Sequence, residues 1–502
     1  MASVQGPSSS HLRLFVDRQI NKVVVAEASG DFIDALLSFL TLPLGTIIRL
    51  LSNKQTHRSS AEVGCINNLY QSVQNFNTEV FWNGICKKML LCPRNPCEKL
   101  CQKLRFNVDD TDPTKYLMCG SCRELSDKWL STFAGASCSC GKLMDQEMKV
   151  VEEEDNNPKG GVFVRGERMY LIFDDLTVLQ NSACNTIHQL VQLGYSDFTK
   201  LTEISPSVGL SQIMELLKHA LVSTSPLTDV FLKAAGSKLV SSFTPRLASE
   251  NVKKTQSSCN LKITVSKSKN KILFAEAEED FADFLFSFLT MPLGSTLKLL
   301  DGNVNLGSMH NLYKSVKGLN PSWFGRYRSP HSPFSPLLDL KVASQYGCKK
   351  QRLDVHEEES PCYYYGTGIV RNNIYHGNRN GLISNHREKI HCASRVELFD
   401  PRSADGRKEA VGFVSRPTLL AVMDDLQVTP LTSTSSISFL QKLKVPLNDL
   451  EEHKVTIHKT EALNLLGASL TSKAALTNGL FYLVKKQKEE ATTLRGKKTL
   501  FC

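Results

Sequence analysis

LRLFVDRQINKVVVAEASGDFIDALLSFLTLPLGTIIRLL, from Leu12 to Leu51, and LKITVSKSKNKILFAEAEEDFADFLFSFLTMPLGSTLKLL, from Leu261 to Leu300, agree without a gap at 20 of 40 positions. Within each stretch the apolar period changes once. Leu12, Leu14 and Val16 alternate, Gln19 to Asn21 supply a polar turn, and Val23 to Ala26 form a β-branched run. That order predicts a hairpin whose second strand is buried on both faces. Asp31, and Asp280 in the second copy, then stand where a helix N-cap belongs. Phe32, Leu36, Phe39 and Leu40 follow at helical spacing, until Pro43 and Gly45 end the run.

Self-similarity continues beyond these stretches. Asn68-Leu-Tyr-Gln-Ser-Val73 matches Asn311-Leu-Tyr-Lys-Ser-Val316, and VFVRGERMYLIFDDLTV from Val162 matches GFVSRPTLLAVMDDLQV from Gly412. The segments from Glu215 to Ser223 and from Asn464 to Ser472 close the two copies alike. Collinear blocks at nearly constant offset describe a tandem of whole modules, not a short-period solenoid. The predicted class is α+β: two copies of one module, each opening with a β-hairpin followed by helices, then a further strand pair and C-terminal helices. Module one is expected over 11–235 with a cysteine-rich insertion at about 86–145, and module two over 261–484 with a divergent insertion at about 326–410. Residues 236–260, rich in serine and lysine, read as a linker, and 485–502 as a charged, disordered tail.

Composition narrows the class of protein. With 41% hydrophobic and 22% charged residues, the 502-residue chain has globular composition and material for two or three cores. The net charge of +10 is spread among 50 acidic residues, which is weak evidence for any acidic partner. The most apolar stretch, Phe281 to Leu300, is interrupted by Asp283, Pro292 and Lys298, so no spanning helix is expected. The start lacks the layout of a signal peptide, and Cys502 is not placed for prenylation. The expectation is an intracellular protein, in cytoplasm or nucleus, with reduced thiols.

Nine of the 15 cysteines fall between Cys65 and Cys140. The sharpest pattern among them is Cys119-Gly-Ser-Cys122 followed by Cys138-Ser-Cys140-Gly141. Each close pair presents two thiolates on one tight turn, and the intervening chain lets the pairs converge. This suits tetrahedral zinc in a closed, structural site, with Cys119, Cys122, Cys138 and Cys140 as ligands; simple burial of thiols is the alternative. Cys97 and Cys101, four apart on a helix, offer a substitute pair or a second site with Cys86 or Cys92. In the second copy Cys348, Cys362, His386, His391 and Cys392 form no comparable knuckle.

The segments AEAxxDFxDxLxSFLTxPLG at each start, Asn-Leu-Tyr-x-Ser-Val, CPRNPCEKLCQKL from Cys92, DDTDPTKYLMCGSC from Asp109 and the late Asp-Asp-Leu-x-Val resemble the plant family catalogued as domain of unknown function 674. The resemblance covers nearly the whole chain and implies a plant origin and a tandem module. It implies no activity, substrate or catalytic residue.

Other constellations weigh less. Asp174-Asp175 and Asp424-Asp425 recur at strand ends and invite a carboxylate-pair reading, but adjacent strand residues point to opposite faces, which favours turn capping. Glu27 and Glu276 recur before the helix and read as junction residues. Trp82, Trp323 and Tyr363 to Tyr365 offer aromatic surface, more often core than a platform for bases. Phosphate loops, nucleophile elbows and zinc-protease helices are absent. The expected role is therefore a non-enzymatic scaffold for an unidentified protein partner, stabilised by zinc. A nucleic-acid binder, or an enzyme working between the copies, are the alternatives.

Overall fold

The computed structural model describes residues 12–52, 63–122, 128–151, 161–233, 242–246, 258–301, 303–324, 336–348, 352–371, 374–403, 411–431 and 435–499. The first half opens with the expected hairpin, β1 (Leu12–Asp17) and β2 (Lys22–Ser29), turned at Asn21, whose φ is +49°. Helices α1 (Gly30–Ser38), α2 (Leu44–Ser52), α3 (Ile66–Asn75), α4 (Gly84–Leu91) and the single turn α5 (Glu98–Cys101) follow. Short strands β3 (Leu117–Met118), β4 (Trp129–Ser131), β5 (Gln146–Glu147) and β6 (Lys149–Val150) lie in the cysteine-rich region. The half closes with β7 (Met169–Phe173), β8 (Val178–Gln180), α6 (Ala183–Gln192), β9 (Leu201–Ile204) and α7 (Leu210–Val222).

A short strand β10 (Ser242–Phe243) precedes the second half, which repeats the opening as β11 (Cys259–Ser266), β12 (Lys271–Glu278), α8 (Glu279–Thr290) and α9 (Leu293–Leu299). Then come β13 (Val304–Asn305), α10 (Met309–Gly318), the long hairpin β14 (Tyr363–Arg371) and β15 (Ile374–Ser384), β16 (Ile390–His391) and β17 (Ser394–Leu398). The chain finishes with β18 (Leu419–Met423), β19 (Val428–Pro430), α11 (Ser435–Leu443), β20 (Leu450–Ile457), α12 (Lys459–Thr471) and α13 (Ala475–Thr499). Helices and mostly antiparallel strands are segregated rather than alternating, so the fold is α+β.

Two five-stranded antiparallel sheets, ordered β8-β7-β2-β1-β9 and β19-β18-β12-β11-β20, share one topology. Helix α1 packs on β2 and β7 of the first sheet, and α8 on β11, β12 and β18 of the second and on α2 and α4 of the first half. The sequence spacing suggests an amphipathic helix here, yet α8 is buried at every position from Phe281 to Thr290, and α1 at all but Asp31. A helix enclosed on every side sits in the middle of a core, not on its surface. Each also starts two residues before the position the aspartates suggest. The N-caps are Ser29 and Glu278, and Asp31 and Asp280 fall in the first turn. There they favour the positive end of the helix dipole instead of capping it.

The halves are interlocked. Leu44 N donates to Met291 O at 3.0 Å and Leu293 N to Leu42 O at 2.9 Å, so the two Leu-Gly turns pair with each other. Helix α3 of the first half bonds the second half's turn: Val428 N donates to Ser72 Oγ (2.9 Å) and Asn68 Nδ2 to Asp425 O (2.8 Å). Reciprocally, Val178 N donates to Ser315 Oγ (2.8 Å) and Asn311 Nδ2 to Asp175 O (3.2 Å). Before each of these helices stands a glycine with φ near +50°, Gly64 and Gly307, pressed against Ser469 O and Ala220 O of the opposite half. A single hydrophobic cluster runs through both halves. The ranges 11–235 and 261–484 therefore divide the chain without dividing the core, because each half's sheet is covered partly by the other's helix.

Three further expectations change. The insertions at about 86–145 and 326–410 are not separate embellishments, and the first extends through β5 and β6 to Val150. Their strands form one eight-stranded sheet, β5-β3-β4-β17-β14-β15-β6 with β16 on β14, joined across the halves by the parallel pairs β4–β17 and β6–β15. Most of the linker 236–260 lies outside the described residues, but Ser242 and Phe243 pair with Asn305 and Val304, and Cys259 already belongs to β11. The charged tail continues α13 as far as Thr499. Buried Leu476, Leu480 and Val484 anchor its first turns, and Lys488 reaches Glu451 at 2.6 Å. Residues 485–491, Lys-Lys-Gln-Lys-Glu-Glu-Ala, have good helix propensity, so the anchored first turns propagate into the tail.

Candidate metal centre

Four thiols converge where the sequence places them. Cys119 follows directly on β3, and Cys122 N donates to Cys119 O at 3.3 Å, closing the first turn. The second turn is a tight hairpin. Cys138 N donates to Lys142 O (2.8 Å) and Gly141 N to Cys138 O (2.9 Å), with Gly141 at φ +82°. Met144 N to Ala136 O (2.9 Å) holds its base, and Lys142 Nζ reaches Ser121 Oγ (2.9 Å) between the two turns.

The four Sγ atoms all lie within 4.8 Å of one another, with Cys119 to Cys140 at 3.6 Å and Cys122 to Cys138 at 3.7 Å. A sulfur–sulfur bond spans about 2 Å, and the described cysteines are all free. Four sulfurs at about 2.3 Å from a central cation stand about 3.8 Å apart along each tetrahedral edge. The spacing therefore fits a shared cation and not a pair of disulfides. Cys119, Cys122 and Cys138 are buried and Cys140 is exposed. Leu117, Ala136 and Met144 surround them, with Ile85, Trp129 and, from the second half, Phe399 packed outside.

Electrostatics already separates the thiols. The Lys142 backbone N–H, and then the Cys122 thiol, lower Cys140 to about 7. Cys122 is raised to about 12, chiefly by its contact with Cys140 and then by burial. Thiols bind a cation as thiolates, so metal binding at such a site releases their protons. Four sulfur ligands leave no open coordination position, so the arrangement suits structure rather than catalysis.

The other candidates are engaged elsewhere. Cys101 Sγ contacts Thr41 Oγ1 (3.5 Å) and Asn95 Nδ2 (3.6 Å), and Cys86 Sγ donates to Pro401 O (3.1 Å). Burial raises Cys86 and Cys101 to about 12, and raises Cys97 as well. These are packed thiols. Neither they nor Cys92, Cys348, Cys362, His386, His391 or Cys392 join a metal-holding group among the described residues.

The recurring carboxylates hold turns and strands. Asp174 accepts from Thr228 N (2.9 Å) and Oγ1 (2.8 Å), and Asp424 from Thr477 N (2.8 Å) and Oγ1 (2.9 Å). Asp175 and Asp425 cap the turns through Thr177 N (3.0 Å) and Gln427 N (3.2 Å). Glu27 pairs across the hairpin with Arg13 at 2.5 Å, and Glu276 with Lys262 at 3.4 Å. Tyr363 and Tyr365 are buried in the shared sheet, where Tyr363 Oη meets Tyr116 Oη at 3.0 Å.

One pair of residues escaped sequence reasoning. Asp34, 2% exposed, accepts from Val162 N (2.5 Å), Phe163 N (2.8 Å) and Val164 N (2.8 Å). Asp283 does the same for Phe413 N (2.7 Å) and Val414 N (2.9 Å), with Arg416 at 3.5 Å. Their recurrence as the second aspartate of Asp-Phe-x-Asp was the available signal. It was masked because a charged residue in a helix reads by default as solvated.

A family model described as "Protein of unknown function (DUF674)" matches residues 7–460, and the chain belongs to that family. No curated protein and no solved structure matches it.

Proposed function

We propose that this member of the DUF674 family is a non-enzymatic interaction scaffold in which Cys119, Cys122, Cys138 and Cys140 hold a structural zinc ion. The observation that carries the metal reading is the mutual approach of four Sγ atoms to within 4.8 Å, two of the separations being 3.6 and 3.7 Å. An all-thiolate set selects zinc over the hard cations, which prefer oxygen. The metal's contribution is a cross-link between two short turns whose strands contain two or three residues each.

Exposed apolar residues support the interaction reading. Ile187 (56%), Val191 (64%), Leu193 (53%) and Phe198 (59%) stand open on and just after α6. Leu447, at 76%, is open before β20, as Phe198 is before β9. Grouped exposed apolar residues mark contact surfaces more often than isolated ones do.

Elemental analysis of freshly purified, reduced full-length protein tests the metal. About one zinc per chain, lost in Cys119→Ser together with thermal stability, is the expected result; protein without zinc rejects it. Affinity capture with wild type beside a Val191→Asp plus Phe198→Asp variant tests the surface. A partner retained equally by both removes α6 from the proposal.

A further inference from the structure

The interlocking of the halves creates two equivalent seams, where an edge strand of one half meets the Asn-Leu-Tyr helix of the other. They differ in chemistry. At the seam of β8 with α10 lies a cleft of about 760 Å³ lined by Gln180, Asn185, Asn311, Lys314, Lys317 and Asn320, with no carboxylate in its lining. At the same positions of the sibling seam, Gln71 and Gln74 replace Lys314 and Lys317, and Pro430 replaces Gln180. The backbone frame is the same, since Val178 N to Ser315 Oγ (2.8 Å) repeats Val428 N to Ser72 Oγ (2.9 Å). The two helices therefore differ by two lysines on the face turned to the seam, although Lys87 approaches the end of α3 at Gln74 O (2.9 Å).

The two seams also differ around their tryptophans. The Gln180 side-chain carbonyl, in its satisfied orientation, accepts from Trp323 Nε1 (3.1 Å) and Asn320 N (3.2 Å). In the sibling seam, where proline has no such carbonyl, Trp82 Nε1 is buried without a hydrogen-bond partner. Lys314 has no ion-pair partner among the described residues. Lys317 is held at 3.1 Å by Asp301, both largely exposed, and a pair of that kind is readily exchanged. Asp175, at 3.1 Å from Asn311 Nδ2, orients that amide from outside the lining.

We propose that this cleft binds a small molecule carrying phosphate groups. Two lysines one helical turn apart supply point charges to a lining without carboxylates, while the amides of Asn185 and Asn311 are held by Gln180 O (3.1 Å) and Asp175 and shape its wall. The volume is in the range of small-molecule sites and exceeds what a bare anion fills. The inference is independent of the zinc site and of the α6 surface.

Isothermal titration calorimetry of the full chain at low salt, with inorganic pyrophosphate and separately with ADP, tests it. The expected result is saturable binding of at least one, weakened roughly tenfold or more in Lys314→Gln plus Lys317→Gln, which reproduces the sibling seam. Tighter binding of ADP than of pyrophosphate assigns the rest of the cleft to an organic body, and equal affinity assigns the site to the phosphates alone. Both lysines are exposed, so the variant should unfold at the wild-type temperature, and single Lys314→Gln serves as a second probe. No saturable binding at millimolar ligand, or unchanged affinity in the double variant, overturns the proposal. Retention of a single-stranded oligonucleotide without binding of pyrophosphate or ADP overturns it too, in favour of a nucleic-acid surface.

Discussion

Replacing Asp34 by alanine removes the acceptor for the N–H groups of Val162, Phe163 and Val164. Phe163 and Val164 are buried at 3% and 0% exposure, so water does not take over. An unsatisfied buried donor costs about 1–3 kcal/mol, and two of them about 2–6 kcal/mol. That is a large share of the roughly 5–15 kcal/mol that typically separates folded from unfolded chains. Asp34→Asn keeps one carbonyl oxygen for Phe163 and Val164 but turns an NH2 toward Val162 N. It should cost about 1–3 kcal/mol, at the scale of one lost bond. The control is Asp31→Ala, three residues earlier on the same helix with its side chain 46% exposed, expected within about 0.5 kcal/mol of wild type. Urea unfolding measures all three, and amide exchange at Phe163 and Val164 reports the bonds directly. If Asp34→Ala destabilises no more than Asp31→Ala, or if those two amides stay protected, the carboxylate does not hold this segment and the account is wrong.

Burial raises Asp34 and Asp283 to about 7. An unfolded carboxylate titrates at roughly 4. Between these values the folded state binds more protons, so their contribution to stability falls as pH rises from about 4 to about 7 and is flat above. The difference in unfolding free energy between wild type and Asp34→Asn should show that slope; an equal pH dependence of the two refutes it. Gly307→Ala should destabilise by about 1–3 kcal/mol or more, since φ is +51° and the new Cβ would stand 2.4 Å from Ala220 O; thermal unfolding at wild-type temperature contradicts this. Cys97→Ser should leave the metal content unchanged, because that thiol lies outside the four-sulfur group; loss of metal would require a different ligand set. Chelation or Cys119→Ser should raise hydrogen exchange in 363–398, which holds no ligand but joins β4 through β17; unchanged protection there means the shared sheet stands without the metal.

Much of the candidate site was legible because its determinants are local. Cys119 and Cys122, and Cys138 and Cys140, are brought together by turns of three or four residues, and turn geometry follows from neighbours in sequence. The hairpins were legible for the same reason, with alternation in β1 and a continuous apolar run in β2. Asp34 and Asp283 were not, because a carboxylate's partners 130 residues away leave no periodicity behind. Nor did charge and glutamine–lysine differences along α3 and α10 identify a cleft before the opposing strand was in place.

By itself the sequence determined that the chain contains one α+β pattern twice and that four cysteines occur in two close pairs at metal-ligand spacing. Only the tertiary structure decided how the copies share their parts. Because both carry the same apolar pattern, the Asn-Leu-Tyr helix of either would bury the same surface against its own sheet or its sibling's, so hydrophobic periodicity is identical in the two arrangements. The choice appears only in contacts between residues remote along the chain: Leu44 with Met291, Ser72 with Val428, Ser315 with Val178. The same docking across the halves packs α8 against α2 and α4 and gives two seams from one repeat, free to diverge in charge, while the pairs β4–β17 and β6–β15 join the two insertions in one sheet.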